Sequence, residues 1–234
     1  MKHLKFSRFE YKYLLPSHVA FELMSYFSKF CVLDAPNVGS KPYTVRSLYF
    51  DSPTLTFYHE KVAGTADRQK VRLRTYGDEP GKDVYMELKL KPFDKIYKER
   101  EILPTAMISN VINHFSNPSP STFTDKFFRK LWFMFRWYRL TPQTVVRYSR
   151  ISLLDKFIKF KVSFDSNIRA SADHDLYTKG LLVRPVGDQV IMEIKCEHLL
   201  PVYFLDAIRT YNLERRALSK YTLAMSKLIF NSQK

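Results

Sequence analysis

In the segment RQKVRLR the cations Arg68, Lys70, Arg72 and Arg74 recur at every second position, with Val71 and Leu73 in the gaps. Side chains alternate faces along a β-strand, so this spacing gathers the cations on one face and the apolar groups on the other. MELKLK repeats the scheme, with Glu87, Lys89 and Lys91 facing away from Met86, Leu88 and Leu90. Near the start, Arg8, Glu10 and Lys12 alternate with Phe9, Tyr11 and Tyr13; later, Lys159, Lys161 and Asp165 oppose Phe160, Val162 and Phe164, and Glu193 and Lys195 flank Ile194. One such strand is ordinary for an antiparallel sheet with a wetted face. Several together are not, because cations opposed across neighbouring strands repel. The pattern therefore calls for an anion over the charged face and for helices over the apolar one.

The charge balance agrees: 38 Lys and Arg against 23 Asp and Glu leave a formal +15 on 234 residues. That excess points to nucleic acid, a phosphorylated ligand or an acidic membrane surface. Binding of single-stranded nucleic acid calls for aromatics among the basic residues. Here Phe9, Tyr11, Phe160 and Phe164 take the opposite parity, so nucleic acid is disfavoured. No uninterrupted apolar run supplies a signal peptide or a spanning helix, and the expectation is a soluble, cytoplasmic protein. Cys31 and Cys196 lack metal or redox spacing and are expected to be buried thiols.

Few glycines and no low-complexity tract argue for a single domain over 1–234. Strand patterns are expected over 4–14, 43–51, 67–76, 83–91, 95–102, 144–153, 157–165 and 189–195, with a weaker piece at 181–185. Helical spacing is expected at 17–30, from Pro104 to about Tyr138 with a break near Asn117, at 201–211 and at 219–230. Phe127, Trp132, Phe135 and Trp137 are expected to pack in the core. The class is α+β: an antiparallel eight-stranded β-barrel with α-helices packed outside and the charged face inward.

A cationic bore of that kind suits a triphosphate or a longer phosphate chain, whose repeated anionic units Arg forks and Lys ammonium groups can track. Phosphoryl transfer needs mostly positioning and charge neutralisation. Glu193, with Glu10 or Glu87, offers hard oxygen ligands for Mg²⁺ or Mn²⁺. Walker A, dinucleotide-binding, zincin and nucleophile-elbow motifs are all missing from the chain.

The ordered set RFEYKYLLP (8–16), SLYFDSP (47–53), KVRLRTYG (70–77), MELKLK (86–91), YSR (148–150), MEIK (192–195) and SKY (219–221) resembles the VTC domain. This is the polyphosphate polymerase domain of the vacuolar transporter chaperone complex and its bacterial relatives, within the triphosphate tunnel metalloenzymes. The resemblance implies an eight-stranded tunnel that moves the γ-phosphate of ATP onto a growing polyphosphate chain with Mn²⁺ or Mg²⁺. It implies catalytic roles for Lys12, Arg72, Arg74, Lys89, Arg150, Lys161 and Lys195, and a metal role for Glu193. Phosphate or polyphosphate binding is expected of Arg46, Lys70, Lys91, Lys98, Arg100, Ser219 and Lys220. Ser219 also reads as a helix N-cap. Where wider tunnel enzymes begin E-x-E-x-K, this chain has Arg8, Glu10 and Lys12. Tripolyphosphate or nucleoside triphosphate hydrolysis, and plain polyphosphate binding without chemistry, remain alternatives. Export of a chain would need a separate membrane protein partner, which would bring this protein to the inner face of a membrane.

Overall fold

The computed structural model describes residues 9–35, 37, 41–92, 97–109, 113, 125–155, 157–181, 183–197 and 199–232. Its strands are β1 (Phe9–Leu15), β2 (Cys31–Leu33), β3 (Tyr43–Asp51), β4 (Arg68–Tyr76), β5 (Asp83–Lys91), β6 (Tyr97–Pro104), β7 (Thr141–Asp155), β8 (Phe160–Ser171) and β9 (Val190–Cys196). The helices are α1 (Ser17–Phe27), α2 (Thr56–Val62), α3 (Lys126–Tyr138), α4 (Val202–Thr210) and α5 (Lys220–Ser232). Strands are hydrogen-bonded in the order β1-β9-β8-β7-β3-β4-β5-β6, with β2 added on β7. The expected eight-stranded ladder is thus present in an α+β chain. Arg8 and the stretches 93–96 and 114–124, where parts of the expected first strand, β6 and the long helix fall, lie outside the described residues.

Two compact units interleave along the chain, one built mainly from 46–146 and 171–181, the other from 6–45, 147–170 and 182–234. In the first unit the apolar parity of β4 and β5, Val71, Leu73, Met86 and Leu88, is fully buried against Leu131 and Phe135 of α3. In the second, Phe160, Val162 and Phe164 of β8 and Met192 and Ile194 of β9 pack with Leu23 and Phe27 of α1 and Phe204 of α4. In each unit helices cover the apolar parity, leaving the charged parity to the other side.

Several boundaries differ from the sequence reading for local reasons. Helix α2 follows a Ser-Pro-Thr turn and is capped from a distance: the Asp51 carboxylate accepts from the backbone N–H groups of Ser52, Phe57 and Tyr58 at 2.7, 2.9 and 2.9 Å. Strand β8 starts at Phe160 rather than 157, because the Asp155 carboxylate accepts from Phe157 and Ile158 N–H and closes a turn. The weak strand at 181–185 reduces to one bridge, Ala170 to Val183. Pro104 ends β6 and is followed by a 3-10 turn, Thr105–Met107. Both cysteines are free and buried, as expected. Phe127 and Phe135 are buried, but Trp137 is 81% exposed, so the expectation that all the helix aromatics serve the core is corrected.

Phe204 is fully buried and its ring centroid lies 5.7 Å from Phe27, 5.6 Å from Phe160 and 6.1 Å from Tyr13. Phe204→Ala is expected to cost about 3–5 kcal/mol in urea unfolding; a loss below about 1 kcal/mol would show that the second unit's core does not centre on this ring.

Candidate functional site

In the second unit antiparallel pairing sets charges of both signs side by side across neighbouring strands. Lys12 stands opposite Glu193 and Glu10 opposite Lys195 across β1 and β9; Lys161 and Ser163 stand opposite Lys195 and Glu193 across β8 and β9. Lys195 Nζ lies 2.5 Å from Glu193, and Lys12 Nζ 2.8 Å from Glu10. Lys12 also donates to the Leu218 carbonyl at 3.2 Å. From β7, Arg150 forms a bidentate pair with Asp165, at 2.5 and 2.7 Å, and reaches Glu193 at 3.8 Å. Lys220, the first residue of α5, pairs with the same Asp165 and lies 4.7 Å over the Tyr148 ring. Ser219 accepts from Thr222 N–H at 3.4 Å, consistent with the cap reading. Lys161 pairs with Asp34.

These carboxylates are buried, which alone would favour their neutral forms. Burial pushes Glu193 up, but Lys195, Lys12, Arg150 and Lys220 outweigh it and hold the carboxyl well below its usual range. Asp165 follows the same logic, with Arg150 and Lys220 overcoming burial. Burial also draws Lys195 below the usual lysine range, against the pull of Glu193 and Glu10.

The first unit carries a second cationic face. Lys70, Lys89 and Lys98 stand directly opposite one another across β4, β5 and β6, and the next row is Arg72, Glu87 and Arg100. Glu87 is the hub: Arg72 approaches at 2.6 Å, Lys98 at 2.7 Å and Arg74 at 3.8 Å. Burial raises the Glu87 carboxyl, but the three cations drive it far below its ordinary value. Lys98 is pulled down to about 8 by burial, which outweighs the opposing attraction of Glu87. Tyr49 accepts from Arg72 at 3.1 Å, and Arg100 stacks 4.7 Å over Tyr85. Lys91 lies opposite Arg68 along the same parity.

The expected site residues thus fall into two groups. Lys12, Arg150, Lys161, Lys195, Ser219, Lys220, Glu10 and Glu193 meet in the second unit. Lys70, Arg72, Arg74, Lys89, Lys91, Lys98, Arg100 and Glu87 meet in the first. Arg46 joins neither: it shares strand parity with Leu48 and Phe50, donates to the Leu176 and Thr178 carbonyls, and pairs with Asp78. Glu10, Glu87 and Glu193 are the expected metal candidates. Mg²⁺ is commonly held by one or two carboxylates together with substrate phosphates and water. Glu193 and Glu10 lie at diagonal positions on paired strands of the second unit and fit that mode; Glu87 belongs to the first unit, with Arg72, Arg74 and Lys98 around it. Among the described residues no three His, Cys, Asp or Glu side chains group closely enough to hold a metal unaided.

Sequence reasoning did not single out Asp165, Asp34, Tyr148 or Tyr49. Asp165 carried a signal, sharing parity with Lys161, and Tyr148 opens the Y-x-R motif. Asp34 follows a three-residue strand and carried none.

A family model described as the VTC domain matches residues 7–229. No curated protein is significantly similar in sequence. Among solved structures, the chain is similar to a Bacillus halodurans protein described as a "putative adenylate cyclase", with TM-score 0.54, 14% identity, and coverage of 90% of this chain and 92% of that one. A Vibrio parahaemolyticus protein of the same description gives TM-score 0.47 at 12% identity, covering 94% and 97%. At such identities the Bacillus likeness bears on the fold alone.

Because Glu87, Asp165 and Glu193 all have depressed values in the folded state, their stabilisation is full above the unfolded carboxylate range near about 4 and is lost as pH falls through the folded values. Glu87→Gln is expected to lower stability at neutral pH by about 3 kcal/mol or more, since three cations lose a buried counter-ion. It should also make the acid-side decline shallower in urea titrations at stepped pH. An unchanged acid slope would contradict the hub assignment.

Proposed function

The chain belongs to the VTC domain family, and from that premise we propose that it is a metal-dependent polyphosphate polymerase using ATP. The observation that carries this reading is the convergence of Lys12, Lys195 and Arg150 around the buried Glu193 carboxylate. That arrangement suits a chain of phosphates, whose anionic oxygens replace carboxylates as partners of the cations. Arg150 is held in a fixed fork by Asp165, which preserves its orientation as a ligand arrives. Lys12 and Lys195 each have a carboxylate neighbour that sets their position without neutralising the whole face.

In the proposed reaction the terminal phosphate oxygen of the acceptor chain attacks the γ-phosphorus of ATP. The bond from that phosphorus to the ADP oxygen breaks, and ADP leaves. The fixed cations offset charge on the transferring group, and positioning supplies most of the rate. Glu193, with Glu10 nearby, would hold Mn²⁺ or Mg²⁺, which would add charge neutralisation at the phosphate oxygens. The cation rows around Lys70, Lys89 and Lys98 give a second stretch of phosphate-binding surface. No described helix is long and apolar enough to cross a membrane; export of a product chain is proposed to involve a separate membrane protein partner.

Hydrolysis of tripolyphosphate or a nucleoside triphosphate is the competing reading, favoured by the same cations and carboxylates if water replaces the acceptor. Incubation with ATP and Mn²⁺ should yield polyphosphate and ADP in equal phosphoryl amounts. Glu193→Gln should lower that rate by about a hundredfold or more. Free phosphate without polymer would assign hydrolysis, and neither product would leave a binding protein.

Lys98 gives a pH test. A bound phosphate stabilises its charged form, so above about 8 binding must take up a proton. Tripolyphosphate affinity is expected to fall as pH rises through that value, and Lys98→Met should flatten the decline. A wild-type profile in the variant would remove Lys98 from the phosphate path.

A further inference from the structure

Helix α3, KFFRKLWFMFRWY, contains no acidic residue. Its inner stripe, Phe127, Leu131, Met134 and Phe135, is buried in the first unit's core. Its outer stripe follows helical spacing through Lys126, Arg129, Lys130, Phe133, Arg136 and Trp137. Lys126, Arg129 and Arg136 are exposed, as is Arg139 at the helix end. Phe133 is 62% exposed and Trp137 81% exposed, one turn apart on the same stripe. Lys130 of this stripe pairs with Glu99 of β6.

Two large aromatics held in water by a helix that already has a full buried face are not explained by core packing. We infer that the outer face of α3 docks on the surface of an anionic lipid bilayer. A helix lying in a membrane interface combines Lys and Arg with Trp and Phe in this way: the cations meet lipid phosphates, and the rings enter the boundary between headgroups and acyl chains. Trp suits that depth because its ring is apolar while its N–H remains able to donate to a headgroup or water. Insertion is shallow by construction, since the opposite, apolar side of α3 is committed to the protein core.

Charge complementarity decides among occupants. A protein interface core is depleted of charged residues. This stripe carries one sign, with aromatics between the cations. A free phosphate chain would satisfy the cations but leave Phe133 and Trp137 in water. The formal +15 of the whole chain favours approach to the same surface. None of these side chains belongs to the cationic faces assigned to phosphate binding, so the inference stands apart from the proposed reaction.

The chain's two tryptophans, Trp132 and Trp137, both lie on α3, so tryptophan emission, excited selectively beyond the tyrosine absorption band, reports on this helix alone. Full-length protein is mixed with vesicles of phosphatidylcholine, or of phosphatidylcholine with phosphatidylglycerol, and sedimentation and emission are measured. Binding with a blue shift is expected on the phosphatidylglycerol vesicles, with little on neutral ones, and added salt should weaken it. Phe133→Ser combined with Trp137→Ser should lower sedimentation by about tenfold or more, because ring insertion is lost. Lys126→Glu combined with Arg129→Glu should remove the preference for the anionic lipid. Both variants alter exposed side chains and should keep the wild-type circular dichroism and tripolyphosphate affinity. The inference is overturned if the protein binds neither vesicle, binds both equally, binds without a tryptophan shift, or sediments unchanged in the variants.

Discussion

Cations crowded on one sheet face repel, and the rest of this structure depends on how that repulsion is contained. Each unit uses buried carboxylates for it. In the first, Glu87 takes Arg72, Arg74 and Lys98 at once. In the second, Asp165 takes Arg150 and Lys220, while Glu193 answers Lys195 and faces Lys12. These acids are too few to neutralise the faces, which therefore remain net cationic. Desolvation makes each buried carboxylate costly alone, and only the surrounding cations keep it ionised. Fold and ligand preference thus share one electrostatic origin: the charges that the acids hold in place are the charges an anionic chain would meet.

This arrangement also sorts the acids by role. Glu87 is enclosed by cations and serves as an anchor. Asp165 is fully buried and fixes the Arg150 fork. Glu193 has Lys195 close by, faces Lys12 and lies 3.8 Å from Arg150, with Glu10 on the neighbouring strand. Of the three metal candidates, Glu10 and Glu193 lie on paired strands of the second unit and Glu87 in the first.

Parity was the legible part. Period-two charge in RQKVRLR, MELKLK and MEIK fixes which face is cationic, and β4, β5 and β9 carry it as expected. Where both parities are apolar or polar the signal fails. YTVRSLYF is such a segment, and Arg46 was grouped by charge although its strand position puts it with Leu48 and Phe50. Helix α2 was hidden because its cap, Asp51, acts from beyond a Ser-Pro-Thr turn. The pairing of Asp165 with Lys220 joins residues far apart in the chain and has no local sign. Trp137 was assigned to the core from its residue type, while its helical position places it outside.

Cations held by buried carboxylates are proposed to form the phosphate-chain site. A crystal structure of the protein with tripolyphosphate and Mn²⁺ tests it most directly. The expected result is phosphate oxygens within about 2.7–3.2 Å of Lys12, Lys195 and Arg150, with Mn²⁺ bound beside Glu193. Phosphate bound elsewhere, with the Glu193 and Asp165 ion pairs unchanged and no ligand beside them, would contradict it.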